Sequence, residues 1–185
     1  MSLESSKTLG GVGAILVAIG SFVPILGLIG IILVLIALKG LAEVYNENAI
    51  FQNALYAFIF GIIGVIAAIY MFFTMFAGGF FIQIPSQESM YSSLILSLIG
   101  VLIIVFIFSL LEAIFYRKSF RIIAEKSGEK MFNTAGTLLL IGAILTIILV
   151  GAIILLIAWI LLAIAFFSIK TTRQPTEIAP PPPPP

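Results

Sequence analysis

The stretch Gly13-Ala14-Ile15-Leu16-Val17-Ala18-Ile19-Gly20-Ser21-Phe22-Val23-Pro24-Ile25-Leu26-Gly27 decides how this chain folds. It lies inside an uncharged apolar block from Leu9 to Leu38, which as one straight helix would be about 45 Å long at about 1.5 Å per residue. A bilayer core is about 30 Å thick and asks for about 20 helical residues. The block is therefore too long for one upright span and lean for two. Gly20 and Ser21 continue a helix poorly, while Pro24 lacks a backbone N–H and favours the first turn of a new helix. The pattern predicts a short helix from about Thr8 to Ile19 and a second from Pro24 to about Tyr45.

Three further apolar blocks follow: Ala54 to Ala77, Ser92 to Leu111 and Thr134 to Ile169. The middle two read as single spans. The last is again over-long, about 54 Å if straight, with Gly151 as its only punctuation. It is either one long tilted helix or a hairpin near Val150-Gly151. Across the 185 residues, 62% are hydrophobic and 9% charged. A soluble domain carries about 25% charged residues, so this chain cannot coat a water-facing surface. The expected fold is all-α: a polytopic transmembrane helical bundle of four long or up to six shorter segments. Residues 1–8 read as a polar N-terminal segment, 9–169 as the membrane domain and 170–185 as a flexible proline-rich tail. Lys7 ahead of an apolar run resembles a secretory signal, but the run continues to Leu38, which favours a retained anchor.

Basic residues choose between the segment counts. Four crossings place Lys7, Lys170 and Arg173 on one side and Lys39, Arg117, Lys118, Arg121, Lys126 and Lys130 on the other. Six crossings, with breaks near Gly20–Val23 and Gly151, put all nine on one side, the better solution under the positive-inside rule. Trp159 objects mildly, since six crossings place it near mid-bilayer. Both solutions put loop 78–91 outside, and the preferred one makes loops 39–51 and 117–131 cytoplasmic. Within the outer loop, Gly78-Gly79 is expected to end a helix and Pro85-Ser86 to start the next.

Residues Glu112–Gly128 read as a helix leaving the membrane along the cytoplasmic surface. Phe115, Phe120, Ile123 and Ala124 would form one face, with Arg117, Lys118, Arg121 and Glu125 on another. Arg121 and Glu125 make a possible i,i+4 pair. Arg117, Lys118 and Arg121 are the candidate contacts for lipid headgroups. Inside lipid, helices associate by close packing rather than by hiding apolar surface. Gly10, Ala14 and Ala18 form one small-residue stripe; Ala54, Ala57, Gly61, Gly64 and Ala68 form another. These are the candidate helix-packing positions. Lys39, Ala42, Glu43 and Glu47 recur 82 positions on as Arg121, Ala124, Glu125 and Glu129, which suggests a duplicated unit of span, elbow and span.

The chain lacks Cys, His and Asp, which removes disulfides, thiolate chemistry, Cys/His metal sites and a histidine base. No catalytic residue, metal site or cofactor is expected, and the chain reads as a non-enzyme. Glu112 is the one ionisable group inside a span, and such groups suggest function by default. A net charge of +1 gives no reason to expect nucleic acid. The expected partners are membrane lipids, a second copy of the chain, and a protein that docks the six terminal prolines as polyproline II.

Several stretches resemble the archaeal and bacterial membrane family known as domain of unknown function 996. They are Ser6-Lys7-Thr8-Leu9-Gly10-Gly11-Val12-Gly13-Ala14-Ile15-Leu16, Ile36-Ala37-Leu38-Lys39, Ile50-Phe51-Gln52-Asn53-Ala54-Leu55, Ile141-Gly142-Ala143-Ile144-Leu145-Thr146, and Ala158 to Ser168. The resemblance implies a prokaryotic membrane protein. It carries no activity. Some relatives run through a proline-rich linker into a cysteine-rich zinc ribbon; this chain has no Cys, so no metal site transfers. A membrane scaffold or assembly component is the leading expectation, with a small transporter or channel subunit the alternative.

Overall fold

The computed structural model describes residues 1–81, 87–146 and 150–170, and the side chains of 71, 72 and 74–94 fall outside that description. Among the described residues every regular element is a helix. Ser2 accepts a hydrogen bond from the Ser5 N–H, 3.2 Å, and so starts the first helix, α1, at Leu3 rather than near Thr8. Residues 3–8 of the polar segment are therefore the first turn and a half of α1. α1 (Leu3–Gly20) turns through Ser21–Val23 into α2 (Pro24–Val44), with Pro24 in the first turn. Then come α3 (Asn48–Phe81), α4 (Gln87–Ser127), α5 (Met131–Leu145) and α6 (Val150–Ser168). The two over-long blocks are both divided, giving six helices among the described residues.

Four of these are long and apolar enough to cross a membrane: α2, the 48–70 part of α3, the 95–127 part of α4, and α6. Each helix packs against its neighbours in sequence, and α1 meets α6 to close the ring. Close backbone approach needs small residues at two crossings. A Cβ on Gly30 would lie 2.6 Å from the Gly13 carbonyl oxygen and the Val17 nitrogen, so only hydrogen fits between α1 and α2. Gly151 lies against the Gly142 carbonyl and the Thr146 nitrogen in the same way, joining α5 to α6.

Two elbows, Tyr45–Glu47 and Gly128–Lys130, connect α2 to α3 and α4 to α5. Asn46 (φ 51°) and Gly128 (φ 75°) both take the left-handed conformation that Gly and Asn tolerate best. They stand 82 positions apart, the offset of the repeat in the sequence. The last turn of α4 also meets the first elbow, through Lys126 Nζ to Glu47 Oε2 at 3.3 Å. Burial raises the pKa of the Tyr45 phenol, and the Ser127 side chain beside it opposes the shift.

Two further sequence expectations need correction. α3 runs through Gly78-Gly79 to Phe81 instead of stopping at the glycine pair. The start at Pro85-Ser86 falls outside the described residues, as does the tail from Thr171. Most importantly, 112–127 is no separate surface helix but the last four turns of α4. Tyr116, Ser119, Phe120 and Ile123 are buried in the bundle, while Phe115 and Ala124 are only partly covered. A stripe at three- and four-residue spacing looks the same in sequence whether it faces lipid headgroups or other helices.

Candidate functional site

The centre of the bundle is filled. Tyr116 stacks on Phe120, with ring centroids 5.6 Å apart, and meets Trp159 edge-on at 5.9 Å. Phe132 bridges Phe120 and Phe166. Trp159, which the six-segment reading left stranded in mid-bilayer, is thus a buried packing residue. Ser119, fully buried, donates its hydroxyl to the Ile50 carbonyl at 2.8 Å. Ser6 does the same to the Ser2 carbonyl at 3.1 Å. Neither hydroxyl is left wanting a partner.

One place differs. Glu112 projects from α4 toward α3, where the missing side chain of Gly61 makes room: a Cβ there would lie 3.1 Å from both Cδ and Oε1 of the carboxylate. Among the described residues no hydrogen bond or ion pair ends on this carboxylate. One helical turn on, the buried Tyr116 hydroxyl is also without a hydrogen-bond partner among the described residues. Two unmet polar groups one turn apart make this the candidate site, since buried polar groups such as the Tyr116 hydroxyl are ordinarily bonded. Glu112 also lines a groove of about 670 Å³, whose other walls are the tip of α2 at Pro24 and Ile25 and α3 at Gly61, Val65 and Ile66. That groove is otherwise apolar and is within the size range of ligand sites. The carboxylate can hold a proton or a cation, or bond the polar head of an apolar molecule. The sequence singled out Glu112 and Gly61. It did not single out Tyr116, although the i,i+4 spacing from Glu112 was there to be read.

Arg117, Lys118 and Arg121 converge on a second cleft, about 450 Å³, between α3, α4 and α5, with Asn53 and Leu140 opposite. All three basic residues are exposed. Arg121 Nε reaches Glu125 Oε1 at 3.1 Å, the expected i,i+4 pair. Lys118 lies over the Phe115 ring, 5.0 Å from its centroid. Asn53 bonds the Ala49 carbonyl at 2.7 Å and is an added member of this cluster.

The small-residue positions divide by partner. Gly10, Ala14 and Ala18 are buried on α1, and Gly10 receives the ring of Phe166 from α6. Ala54 and Ala57 are buried on α3. Farther along, Gly61 faces Glu112 and Gly64 faces Phe108, where a Cβ would come within 2.9 Å of the ring's own Cβ. Ala68 is partly covered and borders a small apolar recess together with Gly64, Phe108 and Glu112. Among the described residues no group of acidic side chains could hold a metal ion.

Comparison with known proteins follows the same line. The chain is similar to the uncharacterised protein MJ1644 of Methanocaldococcus jannaschii, 33% identical over 170 residues, covering 91% of this chain and 94% of that one. No solved structure matches it. Residues 26–160, from the first turn of α2 to the middle of α6, match the family model described as protein of unknown function DUF996. The match takes in the Glu112 groove apart from Pro24 and Ile25, the basic cleft and both elbows. By that match and that relative, the chain belongs to the DUF996 family of proteins of unknown function.

Proposed function

We propose that this protein is a non-enzymatic scaffold or assembly component of the membrane, with its elbows and both termini on the cytoplasmic side. The observation that carries the reading is the sealed interior. Interlocked aromatic rings fill the space between the helices, and the buried serines bond to backbone. What the molecule offers its surroundings is surface. The α3/α4 pair exposes apolar side chains on nearly every face from Ile62 to Tyr70 and from Ile95 to Ile103. Such surface serves lipid contact, self-association or a helical partner. Sizing in nanodiscs together with crosslinking in cells tests the proposal. Recovery of a homo-oligomer or a defined complex supports it; a strict monomer that captures nothing would count against it.

Glu112 and the unpaired Tyr116 hydroxyl favour a second reading, a small transporter or channel subunit. Flux through liposomes that is the same for wild type and Glu112→Gln would remove Glu112 from that reading.

A further inference from the structure

We propose that α1/α2 and α5/α6 are re-entrant hairpins that end near the middle of the bilayer, so that only α3/α4 crosses it. The protein is then a wedge, with six helices in one leaflet and two in the other, and it favours membrane that bulges toward its basic end.

Register along the bundle carries the argument. The tip of α2, Pro24 and Ile25, lies at the level of Val65 and Ile66 of α3, since the four share the walls of one groove. α3 continues from there to Phe81, about 22 Å farther at about 1.5 Å per residue. On the other flank, Leu140 of α5 shares a cleft with Ile114 and Arg117 of α4. α5 ends five residues later, at the level of about Ser109, while α4 extends back to Gln87, about 33 Å away. Both flanking hairpins therefore stop well short of the α3/α4 tip.

Among the described side chains, the shaft left standing beyond them is apolar and largely uncovered. Ile69, Tyr70, Phe73, Ile95, Leu96 and Leu102 are all at least half exposed. In water this two-helix shaft would be an open apolar surface; in hydrocarbon it is at home. From Ile66 to Ala77, the end of the apolar block, is about 16 Å, roughly half of a 30 Å bilayer core. The flanking tips consequently lie near the midplane.

Their chemistry agrees. The α1/α2 tip reads Gly20-Ser21-Phe22-Val23-Pro24-Ile25, with Phe22 79% and Ile25 68% exposed, and it holds no charge. Lipid demands that backbone groups be satisfied internally. Here Ser21 N–H bonds to the Ala18 carbonyl, Phe22 and Val23 N–H to that of Ile19, and Pro24 has no N–H to satisfy. The sequence joining α5 to α6, Thr146-Ile147-Ile148-Leu149-Val150, is again uncharged and apolar, and the Thr146 hydroxyl bonds the Gly142 carbonyl at 2.8 Å. Of the three connecting sequences, only the one between α3 and α4, with Gln83, Ser86, Gln87 and Glu88, is rich in polar residues. α2 and α6 are long enough to cross by count, but α2 spends its last turns on Lys39 and Glu43. Its partner α1 carries Glu4 and Lys7, and the partner of α6 has 15 residues.

Single cysteines at Phe22, Val150, Gln87 and Ser127, in a chain with no native Cys, decide the depth. With oriented proteoliposomes of phosphatidylcholine and phosphatidylglycerol, an impermeant maleimide should label Gln87→Cys from one face and Ser127→Cys from the other. Phe22→Cys and Val150→Cys should be labelled from neither, while a bimane attached there in detergent is quenched most by lipids brominated near the chain ends. Labelling of Phe22→Cys and Val150→Cys from the Gln87 side overturns the re-entrant arrangement. The wedge has its own readout: protein density on membrane tubes pulled with the Ser127 side convex, relative to the flat vesicle. Enrichment that grows as the tube narrows supports it. Equal density, or depletion, overturns it. Both outcomes are independent of whether a homo-oligomer or partner is found, so failure here and failure of the scaffold reading are separable.

Discussion

Gly30 and Gly61 are both small residues on apolar helices, yet the space around them predicts opposite behaviour. A Cβ at Gly30 would meet the Gly13 carbonyl oxygen and the Val17 nitrogen at 2.6 Å, atoms of a helix backbone that cannot swing away. Gly30→Ala should therefore push α1 from α2 and cost about 1–3 kcal/mol of stability, the usual range for overpacking. At Gly61 the neighbour is the end of a flexible side chain, the Glu112 carboxylate at 3.1 Å. Gly61→Ala should fold with near-native stability while displacing that carboxylate. Unfolding in mixed micelles, followed by circular dichroism, compares the two; equal losses would show that close packing at Gly30 is not what holds the first hairpin. Ser119 gives a third residue-scale test. Its hydroxyl is fully buried and supplies an added bond to the Ile50 carbonyl. Ser119→Ala should cost about 1 kcal/mol, the typical net worth of such a bond, and a neutral result would mean that the helices are held by packing alone.

At the scale of elements, the elbows and the basic cleft are where local chemistry and tertiary position meet. Asn46 sits at φ 51° and Gly128 at φ 75°. Asn46→Gly should leave thermal stability unchanged or raise it slightly, whereas Gly128→Val should lower it by about 1–2 kcal/mol, because a side chain in that region clashes with its own backbone. Thermal melts of the two variants check both signs. The elbows were legible as charged breaks between apolar blocks, and so was the α1/α2 turn, because Gly20, Ser21 and Pro24 disfavour helix continuation in any surroundings. The α5/α6 break was harder to place, since nothing in Thr146–Val150 breaks a helix by itself; the close fit of Gly151 against Gly142 is a tertiary cause. For the same reason α4 was cut short at Glu112. Tyr116, Phe120 and Ile123 carry an apolar spacing that does not say what covers it, and only the bundle supplies Phe132 and Trp159 as partners. Glu112 was visible as a lone charge, while the unmet hydroxyl of Tyr116 became apparent only once its neighbours were in place. The basic cleft yields its own expectation. Replacing Arg117, Lys118 and Arg121 by Gln should reduce co-purification of anionic lipid and flatten its dependence on salt, measured by phospholipid analysis of the purified protein.

For the whole molecule, unequal hairpin lengths set the relation to bilayer thickness. α3 has 34 residues and α4 has 41, about 51 and 62 Å of helix, against about 27 to 32 Å for α1 and α2. The apolar block of α3 alone, 54–77, is about 36 Å long, more than a typical core of about 30 Å. A span longer than the core tilts or thickens the bilayer, at a cost of fractions of a kcal/mol per Å of mismatch. The short hairpins impose no such demand if they end inside one leaflet. They would prefer a thin membrane if each had to cross. Thermal unfolding in nanodiscs whose phosphatidylcholine chains are lengthened stepwise separates these two cases. A melting temperature that rises with chain length through the range where the core passes 30 Å is expected, because the α3/α4 pair sets the match. A maximum in the thinnest membranes would mean that the short hairpins set it instead, with their tips at the far surface and the apolar shaft of α3/α4 left to another protein to cover.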